Sequence, residues 1–195
     1  MTKMLILGSA SPRRREILGY FSIPFDVVVS DFDEDYIAFT GDPAEYVCRV
    51  ARGKASSLVE QHPDAIVLTA DTVVYCDGVL YEKPKGEEEA SAMLSALVGS
   101  WHSVFTGLAV RHGTEEYWEY EETRVLFNDL TDDHIRRYHQ QLHYYDKAGS
   151  YAVQEAGSII VKKIDGCFYN VMGLPINATV GILAKAGIDL WDYMS

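Results

Sequence analysis

Met4-Leu5-Ile6-Leu7-Gly8-Ser9-Ala10-Ser11-Pro12-Arg13-Arg14 is the stretch that decides the fold. Met4–Leu7 is a short apolar run of strand type, and the segment from Gly8 follows it and opens a helix. Ser11-Pro12 opens a helix that is expected to reach about Tyr20, because serine favours the N-cap and proline is preorganised for the first helical position. A strand that runs straight into a helix points to an α/β architecture.

The alternation continues outward from this segment. Phe25–Val29 reads as a second strand. Asp42-Pro43-Ala44-Glu45 is a capping-box-like start for a helix to about Gln61. Ala65–Ala70 reads as a short apolar strand, and Val73–Tyr75 with Val79–Tyr81 flank Cys76-Asp77-Gly78 as a hairpin. Glu87 to Glu89 begin a further helix, where negative charge suits the dipole, and Gly99 ends it. Two long β-like runs, Ser103–Arg111 and Glu116–Phe127, meet at His112-Gly113-Thr114. Thr131 caps a helix to about Leu142, Ser158–Ile164 reads as a strand, and Leu174–Ala186 is the last helix, ended by Gly187. No internal repeat, low-complexity tract or linker interrupts this order. Residues 1–195 are therefore expected to form one α/β domain with a cleft between two lobes.

Composition narrows the function. With 195 residues, 48% hydrophobic and 24% charged, the chain can build an ordinary core without staples. Cys48, Cys76 and Cys167 are odd in number and widely spaced, which argues against a disulfide framework or a zinc site. The net charge of −12 repels a nucleic-acid polymer unless a basic face is segregated, and Arg13–Arg14–Arg15 is the one dense basic run. A small anion is still accommodated where basic groups converge. The apolar run Met4–Leu7 falls short of a signal-peptide core of ~7–15 residues, and arginines follow it. No stretch approaches the ~18 apolar residues of a membrane span, so a cytoplasmic location is expected.

Several residues break local rules. Arginine in the first turn of a helix opposes the dipole, and such violations tend to mark function. A bound polyphosphate would reverse the penalty at Arg13 and Arg14; a solvated arginine cluster is the plainer reading. Lys54 follows Val47 by seven residues and shares its helical face with Val50, Ala51 and Leu58. A lysine there needs either a partner or a route to solvent. Asp71 ends an apolar strand and precedes Thr72, where a carboxylate can accept a proton or hold a divalent ion, or simply serve a turn. Glu34 sits in the acidic loop Ser30–Asp35, either solvated or metal-binding, and Lys83-Pro84 places another cation in a loop. His102 reads as structural. The chain has no GxSxG elbow, no P-loop and no GxGxxG.

Taken in order, these pieces resemble the Maf family of nucleotide pyrophosphatases. The resemblance spans nearly the whole chain. It rests on Ser9-Ala10-Ser11-Pro12-Arg13-Arg14 with Ile17-Leu18, Asp33-Glu34, Lys54-Ala55, Ala70-Asp71-Thr72-Val73-Val74 and Lys83-Pro84. It continues through His102 with Thr106-Gly107, Asp146-Lys147-Ala148-Gly149-Ser150-Tyr151-Ala152-Val153-Gln154 and Asn170-Val171-Met172-Gly173-Leu174-Pro175. The resemblance implies an elongated mixed sheet flanked by helices, with two lobes and a central cleft, as in inosine triphosphate pyrophosphatases. It also implies a homodimer and hydrolysis between the α- and β-phosphates of a nucleoside triphosphate, dependent on Mg²⁺ or Mn²⁺.

Within that resemblance Asp71 matches the proton acceptor, and Glu34 with Asp71 are the expected metal ligands. Ser9, Arg13, Arg14, Lys54, Thr72, Lys83 and Gln154 are the expected substrate contacts. Arg13, Thr72 and Gln154 match the positions that separate the branch acting on dTTP and UTP from the one acting on methylated GTP, so dTTP and UTP are favoured. Modified pyrimidine triphosphates, methylated GTP and a nucleotide-sensing role in septum formation are the alternatives. Three positions depart from the family pattern: Val98 for a frequent serine, Glu155 for a usual glycine, and Met172 for a common valine.

Overall fold

Leu5–Gly8 forms strand β1, buried at every residue and flanked on both sides by parallel neighbours, β2 (Phe25–Val27) and β3 (Ile66–Cys76). An uninterrupted apolar run suits that place, because a parallel strand is covered on both faces. The computed structural model describes residues 4–194. The remaining strands are β4 (Val79–Tyr81), β5 (Trp101–His112), β6 (Glu115–Phe127) and β7 (Val161–Asp165). They complete a seven-stranded mixed sheet of order β2-β1-β3-β5-β6-β7, with β4 on the outer edge of β3. All pairings from β3 through β5 and β6 to β7 are antiparallel. The helices are α1 (Pro12–Leu18), α2 (Pro43–Gln61), α3 (Glu87–Leu97), α4 (Asp132–Gln141), α5 (Phe168–Met172) and α6 (Ile176–Lys185). This is the expected mixed sheet flanked by helices.

The alternation of side chains along β3 and β5 lays out the interior. On one face Ile66, Leu68, Ala70, Leu108 and Val110 pack with α1 and α6 in a first apolar cluster. On the same face Val74, Cys76 and Val104 pack with α3, α4 and Phe127 in a second. Thr72 and Thr106, paired across the two strands, stand between the clusters. The opposite face is covered by α2. There Thr69 donates to the Ala51 carbonyl at 2.7 Å, and Gly107 meets the α2 backbone at Val47 and Cys48 so closely that no Cβ fits. Helix α2 therefore sits directly on the centre of the sheet.

The outer edge of β3 has a gap. β1 pairs with it up to Thr69, and β4 begins only at Val74. Between them the edge at residues 70–73 has no neighbouring strand. The sequence reading breaks β3 into two strands around Asp71-Thr72; the chain instead runs through. β5 pairs without interruption from Val67 to Tyr75, including Asp71 opposite Gly107 and Thr72 opposite Thr106, and this outweighs the poor strand propensity of an aspartate. Asp71 thus lies mid-strand, just past the carboxyl end of β1.

One other expectation differs, and one helix has no counterpart in the sequence reading. Residues 155–160 form a 3-10 turn, and the strand begins only at Val161. The Tyr138 hydroxyl, from α4, engages the Ala152 amide and the Ala152 and Gly157 carbonyls, and pairing with β6 begins at Phe127 opposite Val161. Helix α5 has five residues, too few for a periodic pattern to reveal.

His102 is buried against the rings of Phe127 and Tyr151, and its Nε2 lies 2.9 Å from the Tyr151 hydroxyl. Burial pulls its pKa from the ordinary 6.5 down to about 4, so the ring is neutral in the folded protein. Below pH 6.5 the unfolded chain takes up a proton that the native state refuses, and stability is lost as pH falls toward 4. The loss of unfolding free energy between pH 7 and pH 4 should therefore be smaller in His102→Asn by about 2–3 kcal/mol, read from urea titrations at each pH. An identical acid slope in the variant would show that the folded protein protonates His102 freely.

Candidate active site

A cleft of about 370 Å³ opens at the gap in the edge of β3. All the residues expected of the site line it: Ser9, Arg13, Arg14, Glu34, Lys54, Asp71, Thr72, Lys83 and Gln154. They come from six stretches of chain, brought together because β1 ends and the sheet edge lies open.

Asp71 points to the α2 face of the sheet, where Lys54 meets it. Lys54 Nζ lies 2.8 Å from Asp71 Oδ1 and 2.9 Å from Glu34 Oε1, and the side chains of Lys54 and Asp71 are 12% and 11% exposed. The inward lysine therefore has partners and does not reach for solvent. Glu34 is carried by a fixed loop. Asp33 accepts the Asp35 amide at 3.1 Å, and Ser30 accepts the Phe32 amide and bonds Ser57 of α2. The Phe32 ring lies over Gly53, where a Cβ would overlap it. The acidic loop is thus clamped to α2 one residue before Lys54.

Two carboxylates around one ammonium leave a local charge of −1. Glu34 and Asp71 turn hard oxygen donors toward the same point, a donor set that fits a divalent cation such as Mg²⁺ or Mn²⁺. No cluster of three or more His, Cys, Asp or Glu suited to a metal occurs among the described residues. The rest of a coordination shell would have to come from phosphate and water, as is usual for Mg²⁺.

The two arginines have different surroundings. Arg14 is wrapped in the protein. Its Nε donates to the Gly173 carbonyl at 2.7 Å, Nη1 to the Ala70 carbonyl at 2.8 Å and to Ser9 Oγ at 3.3 Å, and Nη2 to Thr72 Oγ1 at 2.9 Å. Burial lowers its pKa from the ordinary arginine value, and the charge of Asp71 opposes that shift. Taking a guanidinium out of water costs several kcal/mol, which hydrogen bonds to a charged donor at roughly 1.5–3 kcal/mol each offset. Ser9 Oγ also accepts the Ser11 amide, so its hydroxyl braces the turn that carries Arg13. Arg13 pairs with the Asp146 carboxylate at 2.9 Å and donates to its carbonyl at 3.1 Å. Lys147 also pairs with Asp146. Burial works to raise the Asp146 pKa, but Lys147 and Arg13 outweigh it and hold the group below the usual carboxylate range. Lys83 stands exposed at the rim.

Thr106, Asn170 and Asp146 are parts of the site that residue-by-residue reading did not select. Thr106 Oγ1 lies 2.9 Å from Thr72 Oγ1 and donates to the Asn170 carbonyl at 3.1 Å. The signal was their place in the ordered motif set, which carried no role for them.

The family model described as Maf-like protein matches residues 4–186. The chain belongs to the Maf family. A dTTP/UTP pyrophosphatase of Chlamydia caviae is 43% identical over 195 residues, covering all of both chains. A dTTP/UTP pyrophosphatase of Caldicellulosiruptor bescii is 43% identical over 194 residues, covering 96% of this chain and 97% of its own. The solved structure of the Staphylococcus aureus Ham1 protein superposes with a TM-score of 0.51 at 14% identity, covering 94% of this chain and all of its own, a likeness of fold. The departures from the Maf pattern now have physical readings. Val98 packs against the second core cluster, and Met172 is buried in the first. Glu155, where the resemblance leads one to expect glycine, takes φ +53, a left-handed backbone that a side chain disfavours by roughly 1–2 kcal/mol.

Two outcomes follow. Arg14→Lys, which loses the planar fork, should lower the unfolding free energy by about 2–4 kcal/mol, whereas Arg13→Ala should change it by less than about 1 kcal/mol. Equal urea midpoints for the two would contradict the division between a buried brace and a cleft-facing cation. Glu155→Gly should raise stability by roughly 1 kcal/mol, and a loss in calorimetry would show that the glutamate side chain contributes more than its backbone costs.

Proposed function

We propose that this chain hydrolyses dTTP and UTP to the nucleoside monophosphate and pyrophosphate. The observation that carries the reading is the meeting of Lys54, Glu34 and Asp71 in one cleft with Arg13 and Lys83. In a chain of net charge −12, cations from separate segments gathered at one opening fit a small polyanion. The full-length relatives named dTTP/UTP pyrophosphatases support the same substrates.

The triphosphate enters with its phosphates toward the 8–14 turn, Lys54 and Lys83. Arg13 exchanges its contact with Asp146 for phosphate oxygens, which its fork binds in bidentate fashion. Lys54 holds Asp71 in place beside the phosphates. Asp71 takes a proton from the water whose oxygen bonds to phosphorus as the α–β anhydride bond breaks, and pyrophosphate departs with its charge offset by Lys and Arg. Glu34 and Asp71 would hold Mg²⁺ or Mn²⁺, which when bound neutralises phosphate charge. Thr72 and Gln154 read the base, and a wrong base leaves buried polar groups unpaired. A homodimer acting on the nucleotide pool in the cytoplasm completes the proposal; no helix among the described residues is long and apolar enough to cross a membrane.

Asp71→Asn should cut pyrophosphate release by about 10²–10⁴-fold in a coupled assay with Mn²⁺, with affinity for a non-hydrolysable UTP analogue kept within a few-fold. Undiminished turnover would remove Asp71 as the proton acceptor.

A further inference from the structure

Asp146 is an acid in a cleft that gathers cations, and its carboxylate is divided between two of them. Oδ2 accepts from Arg13 Nη1 at 2.9 Å, and Oδ1 accepts from Lys147 Nζ at 2.6 Å. All three residues line the cleft. The side chains of Arg13 and Lys147 are enclosed, 16% and 11% exposed, whereas that of Asp146 is 44% exposed. Two oxygens on one carbon thus hold the two cations as two oxygens of one phosphoryl group would. Carboxylate and phosphate both form charge-assisted bonds of this kind. An enclosed cation without an acceptor is costly, so both cations need the carboxylate whenever the cleft holds no other anion.

The main chain secures the cations independently of that carboxylate. Arg13 Nη2 donates to the Asp146 carbonyl at 3.1 Å, and Lys147 Nζ also donates to the His143 carbonyl. The Lys147 amide donates to the Tyr144 carbonyl and the Ser150 amide to the Lys147 carbonyl, both at 3.1 Å. Each cation therefore keeps a main-chain acceptor when the Asp146 side chain turns away, and that side chain has solvent to turn into.

We propose that Asp146 is a built-in competitor for phosphate, holding Arg13 and Lys147 until a polyphosphate displaces it and returning to them to speed the departure of pyrophosphate. This rests on the reading that Arg13 meets the phosphates. Lys147 is thereby a further phosphate contact, beside Arg13. Asp146 acts through these two cations and is a positioning residue. Product release limits the turnover of many enzymes, and a cleft lined by cations alone would retain pyrophosphate after the anhydride bond breaks.

The test is calorimetry with inorganic pyrophosphate and Mg²⁺, alongside kcat and KM for UTP. Asp146→Asn keeps the shape and the main-chain bonds but removes the charge. It should bind pyrophosphate at least about tenfold more tightly and lower KM for UTP, with kcat reduced because product leaves slowly. Equal or weaker pyrophosphate binding, with UTP still hydrolysed, overturns the proposal, because losing a carboxylate that merely orients the cations brings no gain. The gain should shrink at least about threefold when Arg13→Ala or Lys147→Met is already present. A gain retained in full in both backgrounds is general charge repulsion and overturns the exchange of partners. Should Asp146→Asn fail to fold, the unmodified chain decides by NMR of the Asp146 carboxyl carbon. Its resonance should shift in step with pyrophosphate binding, and an unmoved resonance overturns the proposal. Failure of the unmodified chain to hydrolyse UTP or dTTP overturns the proposed function itself, while the pyrophosphate titrations still decide the role of Asp146.

Discussion

A guanidinium buried beneath the cleft, with hydrogen bonds to carbonyl and hydroxyl oxygens in place of a carboxylate, is the interaction on which the other parts depend. Strand β3 has no neighbour along residues 70–73, because β1 has ended and β4 has not begun. An open sheet edge inside a protein needs its polar groups satisfied. Arg14 does this at the Ala70 carbonyl, and with the same fork it holds Thr72, Ser9 and Gly173. The turn after β1, the centre of β3 and the turn after α5 are thereby tied at one point, and the cleft keeps its width.

On the other face of the same strand the ordering is electrostatic. Helix α2 rests on Gly107 and Thr69, which brings Lys54 to Asp71. Phe32 over Gly53 brings Glu34 to the same nitrogen. Adjacent residues of one strand thus have separate tasks: Asp71 faces the charged cluster under α2, and Thr72 faces the hydroxyl chain that ends at Asn170. The alternation of a β-strand achieves this within two residues, with no loop between them.

Much of this was legible in the sequence. The seven-residue interval between Val47 and Lys54 placed the lysine inward, and the arginines in the first turn of α1 marked the site by opposing the dipole. What the residues could not show was which arginine faces the cleft. Apart from Ser9 in the turn before α1, Arg14's partners lie 56, 58 and 159 residues away, so little local to α1 separates it from Arg13. Asp71-Thr72 read as the end of a strand, because polar residues inside a buried strand are costly; the missing edge neighbour that makes room for them is a property of the whole sheet. Glu155 stood out only as a departure from an expected glycine, and its left-handed backbone is one that glycine adopts without strain.

All of these contacts serve one claim, that the cleft directs water at a nucleoside triphosphate so that the bond between the α- and β-phosphates breaks. The most direct test is ³¹P NMR of the products formed from UTP in H₂¹⁸O with a divalent cation present. The account predicts UMP and intact pyrophosphate, with one solvent oxygen incorporated between them. UDP and inorganic phosphate as the products would contradict it.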